Sequence, residues 1–433
     1  MKNTRILNEN IISSSGIDEK YFFIKHESGL SIYLHPKVDY NSAYAIFGSR
    51  YGSINEVYKN AEDKIIKTPA GVAHYLEHKL FESEECDAFK LYAKTGASAN
   101  AYTSYDKTAY LFSCNENFMD SFKILVNFVQ EPYFTNENVE KEREIIAQEI
   151  KMYEDNPSCR VNLNMLKSLY QHHPVRNDIA GTIESISQIN PEILYNCYNS
   201  FYNLNNMVLC IVGNFDSDLV LEYLQKSLKT GQTTNLVKAI FPDEPDSVSK
   251  SFISEEMEVL TPIFNLGFKQ KINTTYLSPK EMIASEIALC ALTLKSNKLY
   301  NELINKELIN NSSFSCENFV GPNFFSTIFS GESKDPQCTA EIIYNHTEKL
   351  MTYGLERDIF ERAKKCIYAE SISSFNNISN IANMILDFYF SGYEMFDFIE
   401  NISNIKLDEL NYIINNKFRR DHSTLSVINS IKK

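Results

Sequence analysis

No apolar run in this chain approaches the roughly 18 residues that a membrane-spanning helix needs, so no segment reads as crossing a bilayer. The first fifteen residues stay mostly polar and no apolar core follows them, so no secretory signal is read. A basic excess is missing too: 42 Lys and Arg face 56 Asp and Glu, for a net charge of -14. That balance argues against a non-specific nucleic-acid binder, which wants a basic stripe. The 9 cysteines include no close pair such as C-x-x-C, and an odd, scattered set reads as free thiols in a reducing compartment. A cytoplasmic protein is the simplest expectation. Also lacking are a glycine-rich phosphate loop, a G-x-S-x-G element and a basic patch interleaved with aromatics.

Apolar content is ample for packed cores, at 43% of 433 residues, with 23% charged, and the length predicts two to three domains. Hairpin signatures occur at 21–34, around Glu27-Ser28-Gly29, and at 99–113, around Asp106-Lys107. A strand is expected at 44–47 and a buried one at 206–212. Helical periodicity covers 68–85, 117–130 and 136–154. Residues 230–250 gather Gly, Pro, Thr, Ser and acidic residues and read as a connection between halves. Beyond it come a strand at 263–268 and one long helix at 278–309. Both halves place a helix at a similar offset after strands. The fold class is therefore α+β, built as two similar domains of about 200 residues. The expected division is 1–232, a linker at 233–250, and 251–433, the last without a metal site.

The chemistry concentrates in His74-Tyr75-Leu76-Glu77-His78. On a helix, Val72, Leu76 and Leu80 form an apolar stripe, while His74 and His78, four apart, share a roughly opposite face and can reach one metal ion. Glu77 flanks that face, where a carboxylate can take a proton from water held by the metal without itself ligating it. With 8 histidines in the chain, chance supplies roughly 0.02 such H-x-x-E-H patterns or fewer, which favours the functional reading. A catalytic zinc needs a third protein ligand. The helix expected at 136–154 has an apolar face of Val139, Ile145, Ile146, Ile150 and Tyr153, with Glu142 and Glu149 at its centre. A carboxylate on a core-facing stripe is costly unless paired or ligating. Glu149 is the expected third ligand, with Glu142 supporting the ligands or forming a nearby ion pair. His26, His35, His172, His173, His346 and His422 read as structural or exposed, and Cys114, Cys210 and Cys290 as buried small hydrophobes.

These residues resemble the pitrilysin–insulysin–mitochondrial processing peptidase superfamily, whose inverted zinc motif gives the name inverzincin. The match runs through Gly71 to Glu82, through Glu142-Arg143-Glu144-Ile145-Ile146-Ala147-Gln148-Glu149-Ile150, and through Gly96 to Thr103. It continues at His173-Pro174, Gly181 and Val212-Gly213-Asn214. It is similar to a bacterial cytoplasmic subgroup in which a zinc-bearing member accompanies a zinc-less homologue. The resemblance implies a zinc endopeptidase with one Zn2+ per chain, held by His74, His78 and Glu149, and Glu77 as general base. It implies that Ser98, Ala99, Asn100, Ala101, Tyr102 and Thr103 form an edge strand that takes the substrate backbone. It implies two similar domains making one half of a clamshell around short, unfolded peptides. The family places an Arg and a Tyr in its second half to hold the substrate carbonyl. Here Ile304 stands where that Arg is expected, and no matching Tyr follows. A zinc-less homologous subunit is thus the expected partner, in preference to a homodimer. A non-catalytic scaffold of the same family is the alternative, though such members usually lose a ligand or the base.

Overall fold

The computed structural model describes residues 6–14, 16–60, 62–84, 87–229, 237–272, 274–310 and 312–431. The chain forms two compact units. The first comprises residues up to Ile150, Asp178–Ile240 and Ile372–Phe396; the second comprises Lys151–Asn177, Phe241–Ser371 and Asp397–Lys433.

The first unit is built on a seven-stranded sheet in the order Ile6–Ser14, Glu19–His26, Ser31–Pro36, Met207–Gly213, Ala43–Ser49, Thr108–Cys114, Ser98–Thr103. Ser31–Pro36 and Met207–Gly213 run parallel, and every other adjacent pair is antiparallel. The middle strands Met207–Gly213 and Ala43–Ser49 are buried at every position, which their near-continuous apolar sequences require of a sheet covered on both faces. Ala45 and Phe47 enter a core with Leu76, Leu80, Phe122 and Val126 from the helices Val72–Leu80 and Phe118–Gln130. Gly48 faces the other way, against Leu386 and Phe390 of the helix Ile378–Ser391.

The second unit carries a five-stranded sheet in the order Phe252–Met257, Ser423–Ser430, Ile263–Gln270, Phe324–Glu332, Ser315–Gly321. Its first pair is parallel and the rest antiparallel. Strand for strand this repeats the last five strands of the first sheet, so the duplication expected from the sequence is present as topology. The helices follow suit. Pro279–Thr293 occupies the place of Val72–Leu80 between matching strands, and Arg357–Ser373 the place of Asn136–Glu154.

The units do not divide as 1–232 and 251–433. The helix Pro157–Leu169 belongs to the second unit, where it packs on Ile263–Gln270 and Ser423–Ser430; Ile378–Ser391 belongs to the first. A glycine in the middle strand makes room in each case. A Cβ on Gly48 would come within 2.5 Å of Leu386, and one on Gly267 within 2.8 Å of Met165. Residues 233–236 of the expected linker lie outside the described residues, as does the end of the expected 68–85 helix. Downstream, Lys238–Ala239 pairs with Val57–Lys59. The Glu244 carboxylate accepts the backbone N–H groups of Gln171, His172 and His173 at 2.7–2.9 Å.

Two helices are shorter than expected. The one around the histidines spans Val72–Leu80. The one expected at 278–309 is two, Pro279–Thr293 and Lys298–Asn305. Asn297 caps the break: its side-chain amide donates to the Ala291 carbonyl, which a continuing helix would have used for its own ladder.

Candidate metal centre

The helix Val72–Leu80 buries Val72, Leu76 and Leu80 as its spacing demands, and it also buries Tyr75, His74 and Glu77. The Tyr75 hydroxyl, fully enclosed, donates to the Val139 carbonyl of the helix Asn136–Glu154. That second helix buries Val139, Glu142, Ile146 and Ile150. Ile145, expected on the apolar face, is 47% exposed, because it lies about 100° around the helix from Ile146. Glu142 sits in the buried stripe and Glu149 on its flank.

Across these two helices the predicted residues converge. His74 Nε2 lies 3.8 Å from Glu149 Oε1, and His78 Nε2 lies 3.5 Å from Glu149 Oε2. These separations exceed hydrogen-bonding distance. They suit donors sharing one ion: two ligands each about 2.1 Å from a tetrahedral zinc lie about 3.4 Å apart. On the far side of the His78 ring, Nδ1 meets Glu142 Oε1 at 3.0 Å, which orients the imidazole with Nε2 toward the ion, as metal-binding histidines require. His74 Nδ1 is buried with no hydrogen-bond partner. Ligand atoms of His74, Glu77 and His78 all lie within 4.8 Å of one another. Two imidazoles and the Glu149 carboxylate, with the buried Glu77 carboxyl beside them, fit a zinc ion.

The electrostatics differ sharply between neighbours. Burial pulls His74 down to about 4, and His78 adds to the effect. Burial also opposes charge on His78, but the Glu142 hydrogen bond and the carboxylates of Glu77, Glu142 and Glu149 outweigh it and raise its pKa. Burial pushes the Glu77 carboxyl up to about 7, against the pull of His78 and of the Thr103 hydroxyl. Burial works to raise Glu142 as well, yet His78 and Lys79 hold it below the ordinary carboxylate value.

The residues from Ser98 to Thr103 form the outermost strand of the first sheet, paired on one side with Thr108–Cys114. Ser98 and Asn100 are exposed, and Ala99, Ala101, Tyr102 and Thr103 half-buried. Ser104 N–H donates to the Lys107 carbonyl. By antiparallel alternation Ala99, Ala101 and Thr103 then turn their main-chain groups to the open edge. The Ala101 N–H is met there by Asn100 Oδ1 at 2.9 Å. Helix Ile378–Ser391 pins this hairpin: Tyr102 donates to Asn383, and Lys107 pairs with Asp387 at 2.8 Å. Thr103 reaches the centre itself, donating to Glu77 Oε2 at 3.1 Å.

Sequence reading missed that last contact, the Tyr75 tie and the fully buried Lys79, 3.9 Å from Glu142. An aromatic between the two histidines was the one available signal for Tyr75. The remaining histidines stay out of the centre: His35 meets Glu19 at 2.8 Å, His173 the Pro322 carbonyl at 3.0 Å, and His346 Glu302 at 2.9 Å.

Replacing Glu142 by Gln leaves His78 without its anionic partner. Zinc affinity should fall about 10- to 100-fold, measured by competition with a chelator; an unchanged affinity would remove Glu142 from this role.

Residues 66–183 match the family model described as insulinase, peptidase family M16, and residues 188–366 that of the peptidase M16 inactive domain. The chain is 34% identical over 418 residues to YmfH of Bacillus subtilis, an uncharacterized zinc protease, covering 94% of this chain and 96% of that one. An M16-like peptidase from Alicyclobacillus acidocaldarius superposes with a TM-score of 0.91 at 30% identity, over 98% of this chain and 99% of that one. Pitrilysin, at 15% identity, shares the fold with a TM-score of 0.75 over 97% of this chain and 46% of its own. The resemblance first drawn from the motif around His74 is thus borne out along nearly the whole length, and the chain belongs to peptidase family M16.

Proposed function

We propose that this chain is the zinc-bearing, catalytic subunit of a metalloendopeptidase that cleaves short unfolded peptides, with His74, His78 and Glu149 as ligands. The observation that carries the reading is the convergence of three ligand groups from two helices beside a buried carboxylate at the end of an open strand edge. Bound there, zinc supplies Lewis acidity, polarising a carbonyl and lowering the pKa of water to about 7. Glu77 is raised to about 7, in the range suited to a general base. It takes the proton of the attacking water and passes it to the leaving amine nitrogen. Thr103 fixes its orientation through Oε2. Glu77→Gln should retain zinc and lower kcat by about 100- to 10,000-fold. Normal turnover in that variant refutes the assignment, and zinc without turnover in the unaltered, fully assembled protein favours the scaffold reading.

A peptide backbone adds to the edge at Ala99, Ala101 and Thr103, displacing the Asn100 side chain, so main-chain hydrogen bonds hold it with little sequence selectivity. Ala101→Pro removes one donor at a position where an edge strand tolerates proline. KM should rise roughly 2- to 13-fold, the equivalent of one hydrogen bond, with metal content unchanged. An unaltered KM would place the substrate elsewhere.

The segment carrying Ile304 instead of the expected arginine supports a heterodimer with a zinc-less homologue that holds the substrate carbonyl, and the scattered cysteines support a cytoplasmic setting for it. Peptide cleavage should then be weak for the chain alone and rise on adding that homologue. Full activity of the isolated chain would count against the heterodimer.

A further inference from the structure

The helix pair and edge strand that build the metal centre have counterparts in the second unit, and those counterparts also carry metal-binding side chains around a cavity. Helix Pro279–Thr293, the equivalent of the histidine helix, contributes Glu286 and Cys290, four residues apart as His74 and His78 are. Helix Arg357–Ser373, the equivalent of the Glu149 helix, contributes Cys366 and Glu370. Strand Ser315–Gly321, the equivalent of the open edge strand, contributes Cys316. These five residues line one cavity of about 330 Å³.

The parallel extends to contacts. In the first unit an edge-strand residue, Thr103, donates to the carboxylate of Glu77 at 3.1 Å. In the second, Asn318 on the matching strand donates to the carboxylate of Glu286 at 3.0 Å. The thiols of Cys290 and Cys366 interact directly, and Cys366 Sγ lies 3.6 Å from Glu370 Oε1. Cys290, expected to be a thiol enclosed by apolar neighbours, is half-buried at this cavity.

We propose that the second unit binds a thiophilic divalent ion of its own, zinc or a metal of similar chemistry, on Cys290, Cys366, Glu370 and Cys316. Three thiolates and a carboxylate are a donor set that suits zinc in a closed, four-ligand site. The donors are less tightly gathered than those of the first unit, and the ion would draw them together by side-chain rotation into the cavity. With four protein ligands its coordination shell would be complete, which makes its ion structural.

Cobalt distinguishes the two centres, because a thiolate gives an intense ligand-to-metal charge-transfer absorption and the first centre contains no sulfur. The full chain, stripped of metal under reducing, oxygen-free conditions, is titrated with Co2+. A thiolate band should grow to about one equivalent while total binding reaches about two. The His74→Ala/His78→Ala chain should keep the band, and the Cys290→Ser/Cys366→Ser chain should lose it. No thiolate band in the unaltered chain, which needs no variant to fold, overturns the proposal. So does a band that persists unchanged in the Cys290→Ser/Cys366→Ser chain.

Discussion

The hydrogen bond between His78 and Glu142 joins two helices that share no sequence neighbourhood, and the geometry of the centre depends on it. Glu149 reaches the two imidazoles only if its helix lies at the right height and rotation against Val72–Leu80. Two contacts set that placement, Glu142 to His78 and the Tyr75 hydroxyl to the Val139 carbonyl. A buried carboxylate bonded to an imidazole is worth about 1.5–3 kcal/mol as a charge-assisted hydrogen bond. Desolvation of both groups cancels much of that. What the pairing provides is therefore chiefly register. Lys79 extends the network, fully buried between Glu142 at 3.9 Å and Glu82 at 2.5 Å. Losing either carboxylate would leave the buried Lys79 ammonium with a single counter-charge.

The same burial that makes these groups expensive prepares them for metal. A ligand must be unprotonated to coordinate. His74, drawn down to about 4, is already neutral near pH 7. His78 is raised instead, because Glu142 and the neighbouring acids favour its cation. Proton and metal thus compete for one ring and not for the other. Like-signed carboxylates gathered around Glu77 and Glu149 favour a cation in their midst for the same electrostatic reason. The centre is a set of groups whose mutual costs fall when a divalent ion sits among them.

Much of this was legible in residue order because it is local. Four-residue spacing puts His74 and His78 on one face, and seven-residue spacing relates Glu142 to Glu149, whatever the helices pack against. The hairpins expected at 21–34 and 99–113 announced themselves through turn residues between alternating runs. What stayed hidden is what distance along the chain conceals. Thr103 meets Glu77 because a strand edge passes a helix, which no periodicity encodes. The apolar faces of Pro157–Leu169 and Ile378–Ser391 say that each covers a sheet, but not which one. Of the small residues that receive them, Gly48 lies just past the strand expected at 44–47 and Gly267 within the one expected at 263–268, and neither position signals a helix crossing. Ile145 was misplaced because one residue of rotation separates the buried stripe from the surface. The long helix at 278–309 breaks because Asn297 captures the Ala291 carbonyl, a local competition that hydrophobic periodicity does not register.

Duplication explains why chemistry collects where it does. In each unit two helices and the edge strand of a sheet bring side chains together from three directions. Polar residues stand on each of the three elements in both units. In the first unit these residues are imidazoles and carboxylates, with Glu77 beside the open strand edge. In the second they are thiols and carboxylates, with Glu286 tied off by Asn318. Four protein ligands complete zinc's coordination shell, whereas two imidazoles and one carboxylate leave a position for reactants. On the proposed reading, the difference between a reacting centre and a stabilising one lies in the number of protein ligands, three against four, on a shared frame.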